Sequence, residues 1–281
     1  MIRLGLTGYP LGHSLSPKIH AAAFKSCGLD GDYSLFPISP DALSGLQDLL
    51  NCLRSGELNG LNVTIPHKQT VIPLLDDLTP SARSIGAVNT IFVRDGKLIG
   101  HNTDAPGFLG DLYRRLPSVK AVEKRSVIVL GAGGAARAVV SALLSDGWQV
   151  ALAVRPADVG QAEGLIRFLN QDGLSRFVLM TAAGLSPLLS ETRLIVNATP
   201  LGMSPEIETC PWPEGLDFPS GAAVYDCVYN PRETLLVKRA RAAGLTATTG
   251  LGMLVEQAAL AFEIWTGYNP SRDILFAAVG E

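Results

Sequence analysis

Lys68 has the clearest reason of any side chain in this sequence to do chemistry. It follows Asn62-Val63-Thr64-Ile65-Pro66-His67. If Pro66 opens a helix, the ammonium sits in the first turn, against the helix dipole, at a cost of a few tenths to about 1 kcal/mol. Local rules are most often broken at functional sites, and a lysine partly withdrawn from water suits proton transfer with a hydroxyl. Further on, Gly100-His101-Asn102-Thr103-Asp104 offers a carboxylate. Asp104 could cap the next helix; its functional role would be to hold the Lys68 ammonium and accept a hydrogen bond from a substrate. Ser14 and Ser16, in Gly12-His13-Ser14-Leu15-Ser16-Pro17, place two hydroxyls just before a helix. Ser16 reads as the N-cap, with Pro17 at the first helical position. Ser14 has no capping role to explain it and suits a carboxylate or the hydroxyls of a small polar molecule.

A second set of residues points to a nucleotide. Ser126-Val127-Ile128-Val129-Leu130 reads as a buried strand and runs straight into Gly131-Ala132-Gly133-Gly134-Ala135. A glycine string means little alone, but a strand before it and a helix after it give the dinucleotide-binding pattern. Gly131 would make the tight turn and Gly133 would let the backbone approach a pyrophosphate, facing the N–H groups of the helix start. Ala136 takes the third position of the pattern. The next strand ends at Val154-Arg155-Pro156, where NAD-binding domains carry an acid for the ribose 2′-hydroxyl. The nearest acid, Asp158, lies beyond a proline, and Arg155 instead favours a 2′-phosphate, hence NADP.

Alternating strands and helices must hold these groups, the pattern of parallel α/β architecture. Strands are expected at 2–8 and Leu61 to Ile65, with helices from Ser16 to Gly28 and after Pro40-Asp41. In that second helix Leu43, Leu46, Leu49, Leu50 and Leu53 keep helical spacing. The stretch from Gly110 to Arg125 turns polar and basic and reads as a domain crossover. Beyond it come a helix from Ala135 to about Ser145 and strands at 148–154, 193–197, 222–228 and 245–249. Helices are expected at 233–243 and 253–266, the last after a Gly250-Leu251-Gly252 turn. Residues 203–221 hold four prolines and read as a surface loop with the makings of a lid.

The bulk numbers exclude several classes. With 281 residues, 47% apolar and 17% charged, the chain is globular rather than disordered. A net charge of −3 gives no reason to expect nucleic acid or an anionic membrane as partner. The start Met1-Ile2-Arg3-Leu4-Gly5 lacks a signal-peptide layout. Four scattered cysteines and four histidines without ligand spacing read as reduced thiols in a cytoplasmic protein with no metal.

Taken together, the segments resemble the NADP-dependent shikimate/quinate dehydrogenase family. The matching segments are Ser14-Leu15-Ser16-Pro17, Asn62 to Lys68, Gly86-Ala87-Val88-Asn89-Thr90, Asn102-Thr103-Asp104 and Gly131-Ala132-Gly133-Gly134. Asn197-Ala198-Thr199-Pro200-Leu201-Gly202-Met203, Gly250-Leu251-Gly252-Met253 and Gln257 complete them, in family order. The resemblance implies reversible oxidation of shikimate by NADP⁺, with Lys68 and Asp104 as catalytic pair. It implies substrate contacts from Ser14, Ser16, Thr64, Asn89, Tyr229 and Gln257. Asn197, Thr199 and Met203 would lie beside the nicotinamide, and Gly131, Ala132, Gly133, Gly134, Ala135, Arg155 and Gly250 would complete the cofactor set. It further implies two α/β domains with a cleft between them: 1–104 with 252–281 for substrate and catalysis, and 105–251 as a Rossmann NADP-binding domain. The last helix would return to the first domain, and the protein would work as a monomer or homodimer. One departure stands out, since NADP-specific members often read Asn-Arg-Thr where this chain has Val154-Arg155-Pro156. The rival readings are a paralogue acting on quinate and a non-catalytic NADP-binding regulator, which the presence of both Lys68 and Asp104 argues against.

Overall fold

The computed structural model describes residues 1–169 and 175–280. They cluster into two compact units, one made of Met1–Gly107 with Leu254–Glu281 and one of Phe108–Met253.

The first unit opens with β1 (Ile2–Gly8), α1 (Ser16–Ser26), β2 (Gly31–Pro37), α2 (Leu43–Ser55), β3 (Gly60–Val63) and the one-turn α3 (His67–Thr70). It continues through β4 (Asp77–Leu78), α4 (Pro80–Ile85), β5 (Thr90–Arg94) and β6 (Lys97–His101). Its sheet, six-stranded among the described residues, runs β2-β1-β3-β5-β6-β4. β1, β2 and β3 are parallel, while β5 runs antiparallel to both β3 and β6. Of the five leucines spaced along α2, Leu46, Leu49, Leu50 and Leu53 are buried together with Leu61, Val71 and Ile91, while Leu43 at the helix start is exposed. Gly56 then ends the helix in the left-handed region.

The chain goes on through α5 (Asp104–Arg115), α6 (Pro117–Lys120), β7 (Ser126–Leu130), α7 (Gly134–Ser145), β8 (Gln149–Val154), α8 (Val159–Leu169) and β9 (Ser175–Leu179). Then come α9 (Ala182–Leu185), β10 (Leu194–Asn197), β11 (Ala223–Asp226), α10 (Leu235–Ala242), β12 (Thr246–Thr249), α11 (Leu251–Thr266) and α12 (Arg272–Ala278). The second sheet runs β12-β11-β10-β7-β8-β9 with every pairing parallel. Numbered from β7, that is the doubly wound order 3-2-1-4-5-6, whose ligand crevice opens beyond the carboxyl ends of the first and fourth strands. Val127, Val129 and Leu130 are fully buried, as strands covered on both faces require. No helix of the described residues is long and apolar enough to cross a membrane.

The structure differs from the sequence expectations in five places. β2, β4, β5, β6 and β9 were not foreseen, although Asp95-Gly96, at φ 52° and 73° between β5 and β6, is a hairpin signal visible in the sequence. The polar stretch after Gly110 is not a crossover: α5 continues through it to Arg115, because Leu112 and Leu116 bury one side of it. Ser16 is not the cap of α1 but lies inside the helix, and the Ser14 hydroxyl accepts its N–H at 3.3 Å. Gly252 belongs to α11 rather than to a turn. A Cβ there would lie 1.8 Å from the Asp111 carboxylate, so glycine is what lets α5 and α11 approach. The 203–221 loop is tied down rather than poised as a lid. Trp212 is buried and stacked on Phe218, and Arg239 of α10 donates to the Trp212 and Pro213 carbonyls.

Candidate active site

In the first unit, Lys68 Nζ lies 2.7 Å from Asp104 Oδ2, with only 13% and 7% of the two side chains exposed. The one-turn α3 that carries Lys68 is fixed from both sides. His67 donates a ring N–H to the Ile38 carbonyl at 2.7 Å, and the Lys68 carbonyl accepts the Val88 N–H at 2.8 Å. Asp104 opens α5, yet its carboxylate does not cap that helix; Asn102 Oδ1 accepts the Ala105 N–H instead. That leaves Asp104 Oδ1 to accept from Asn89 Nδ2 at 2.9 Å. Asn89 is the hub of the cluster. Its amide also donates to Thr103 Oγ1 and, at 3.3 Å, to Gln257 Oε1 of α11, while its Oδ1 accepts the Thr103 N–H. Asn62 on β3 supports it, donating to the Asn89 carbonyl and Thr90 Oγ1 and accepting from the Tyr33 hydroxyl at 2.7 Å. A buried, fully paired network of this kind fixes its members in one arrangement.

Of the residues expected from the sequence, Lys68, Asp104, Asn89 and Gln257 meet in this network. Ser14 and Ser16 stand at the start of α1, and Thr64 follows β3, its N–H bonded to the Thr7 carbonyl. Tyr229 lies in the second unit, after β11, where burial raises its hydroxyl pKa. The sequence reading passed over Asn62, Tyr33, Thr90 and Thr103 as site residues. The signal was there in Asn62 and Thr90, polar side chains on strands with buried neighbours.

In the second unit, Gly131 at φ +103° turns out of β7 and receives the Ala153 carbonyl on its N–H at 2.8 Å. A Cβ there would lie 2.7 Å from Thr199 Cγ2. Around Gly133 the space is open, and α7 has no side chain on its first N–H groups. An uncapped helix start behind an open glycine fits a pyrophosphate. At the carboxyl end of β10, Asn197 Oδ1 accepts the Thr199 N–H and hydroxyl at 2.9 and 2.7 Å. Met203 is exposed and Ala132 buried. A Cβ on Gly250 would meet the Cys227 carbonyl at 2.4 Å. Arg155 follows β8 with an exposed side chain and donates Nε to Asp158 at 2.7 Å. The acid beyond the proline is thus the arginine's own partner.

A family model described as the shikimate dehydrogenase substrate binding domain matches residues 6–91, and one described as the shikimate 5'-dehydrogenase C-terminal domain matches residues 250–275. The shikimate dehydrogenase (NADP(+)) of Salinibacter ruber is 46% identical over 278 residues, covering 98% of this chain and 95% of the relative. A shikimate 5-dehydrogenase from Thermus thermophilus, solved with NADP(H) and shikimate, is 38% identical with a TM-score of 0.85 over 99% of this chain and 98% of that one. A quinate dehydrogenase from Corynebacterium glutamicum, solved with NAD, is 33% identical with a TM-score of 0.87 over 99% and 98% of the two chains.

Proposed function

The chain belongs to the shikimate dehydrogenase family, and from that membership we propose that it catalyses the reversible reaction of shikimate and NADP⁺ to 3-dehydroshikimate, NADPH and a proton. The observation that carries the reading is the Lys68–Asp104 pair at 2.7 Å, held in a buried polar network. NADP⁺, when bound, supplies the hydride acceptor. The pair takes up the hydroxyl proton as hydride leaves the same carbon, with Lys68 Nζ carrying it and Asp104 fixing Nζ while accepting a hydrogen bond from the substrate. Asn89 holds the Asp104 carboxylate and is itself bonded to Gln257, and both amides face substrate hydroxyls. Ser14, Ser16, Thr64 and Tyr229 complete the substrate contacts. The glycine turn and helix start at Gly131, Ala132, Gly133, Gly134 and Ala135 bind the pyrophosphate, and Arg155 binds the 2′-phosphate. Asn197, Thr199, Met203 and Gly250 flank the nicotinamide.

The proposal assigns 1–104 with 252–281 to substrate and catalysis and 105–251 to the cofactor, a division that the two compact units support. It places the protein in the cytoplasm, a location favoured by the free thiols of Cys27, Cys52 and Cys210, as a monomer or homodimer. The test uses shikimate deuterated at the carbon that bears the reacting hydroxyl. Deuterium should appear in the reduced cofactor by mass spectrometry; unlabelled reduced cofactor, or none, would contradict direct hydride transfer.

A further inference from the structure

Asp226 ends β11 with its side chain fully buried, and every donor that reaches it is neutral. Oδ1 accepts from Asn197 Nδ2 at 2.8 Å and from the Val228 N–H at 3.0 Å, and Oδ2 accepts from the Thr234 hydroxyl at 2.6 Å. No ion pair to Asp226 is present among the described residues. An asparagine could satisfy the same three donors, since the Thr234 hydroxyl can turn to accept. A buried carboxylate without a cation is the costlier choice, and burial pushes Asp226 up to about 6. Fold alone therefore gives no reason for the charge.

Its neighbours suggest one. Asn197, the first donor, uses its own Oδ1 to hold Thr199, and Thr199 packs against the Gly131 turn. This inference rests on the reading that Asn197 and Thr199 flank the nicotinamide. The ring carries a positive charge when oxidised and none when reduced. We infer that Asp226 is a positioning residue with an electrostatic role. Through Asn197 it orients the nicotinamide turn, and its fixed negative charge makes the protein bind NADP⁺ in preference to NADPH. The effect acts through a dry interior, where one charge counts for far more than in water.

The test is a pair of calorimetric titrations, NADP⁺ and NADPH against the unmodified protein and against Asp226→Asn. The variant should bind NADP⁺ roughly tenfold more weakly, the scale of one charge acting across a poorly screened interior. Its NADPH affinity should change by less than about twofold, since the reduced ring has no charge to lose. An equal loss for both forms, or no loss, would overturn the inference while leaving the cofactor reading intact. Failure of the unmodified protein to bind either form would overturn both.

If the variant does not fold, the unmodified protein carries the test alone. Its NADP⁺ to NADPH affinity ratio should fall as pH drops through about 6. The 2′-phosphate, common to both forms, cancels from that ratio. The other titratable group that interacts with Asp226 is Cys210, raised by burial, with Arg239 of α10 facing Cys210. A ratio independent of pH would overturn the inference.

Discussion

Asn89 carries more of the candidate site than its place in the sequence suggests. One amide joins Asp104, Thr103 and Gln257, so the carboxylate that faces Lys68 is held by a neutral donor on its other oxygen. Lys68→Ala should therefore lower kcat by roughly 10²- to 10⁴-fold, the usual share of general acid–base catalysis. KM should change little, because the proton moves only in the transition state. Asp104→Asn should also lower kcat, and the double variant should lose much less than the product of the two losses, as residues acting as a unit do. Steady-state kinetics on the three variants checks this; multiplicative losses would break the pair apart. Lys68 was legible because it is a charge that its expected helix start does not need, and Asp104 because it could pair with it, although it also read as a helix cap. The supporting network was not, because Tyr33 and Thr103 look like ordinary strand and turn residues until the fold buries them side by side. Ser14 and Ser16 were legible as a pair, but their capping roles were not. Which hydroxyl reaches a free N–H depends on where the helix begins, and that lies one residue earlier than the proline suggested.

At the scale of elements, α1, β2 and α11 meet around His20. Its ring stacks on Tyr33 at 4.1 Å and lies near Phe262 and Trp265, with neither ring nitrogen hydrogen-bonded. Burial lowers its pKa to about 3 from an ordinary 6.5. The unfolded chain therefore takes up a proton below pH 6.5 that the folded chain refuses until about 3, and stability is lost as pH falls through that window. Asp226 works the other way: raised to about 6 from 3.8, it contributes stability below 3.8 that is lost as pH rises through 6. The two slopes oppose each other, so the unmodified protein should show a shallow profile. His20→Phe should gain about 2 kcal/mol relative to it between pH 7 and pH 5, at about 1.4 kcal/mol per pH unit. Denaturant unfolding at the two pH values measures the difference, and parallel profiles would show that His20 is not kept neutral. Five strands of the second unit (β7, β8, β10, β11 and β12) were readable from their apolar runs and glycine stops, whereas β9 and the order of the sheet were not. The first unit's β4, β5 and β6 were not, because β4 is two residues long and β5 alternates too briefly for its period to show.

Over the whole molecule, the candidate residues fall in two compact units, each with its own sheet and core: the Lys68–Asp104 cluster in one, the glycine turn and Tyr229 in the other. On the proposed reading, cofactor choice lies in the second. Arg155 stands where an acid would select NAD, but Asp158 already holds its Nε, and Val154 and Pro156 add no polar contact. NADP⁺ should be preferred moderately. Arg155→Ala should raise KM for NADP⁺ about 10- to 150-fold, the worth of one charge-assisted hydrogen bond, and leave NAD⁺ nearly unchanged. The family's motifs made the activity legible in the sequence, whereas the Arg155–Asp158 pair needed the turn after β8 to bring the two side chains together. The most direct test of the proposed activity is one crossed assay of the purified protein, shikimate and quinate each with NADP⁺ and NAD⁺, followed by the absorbance of the reduced nicotinamide. Shikimate with NADP⁺ should give the highest kcat/KM of the four combinations; a higher value with quinate, or no reduction with any pair, would contradict it.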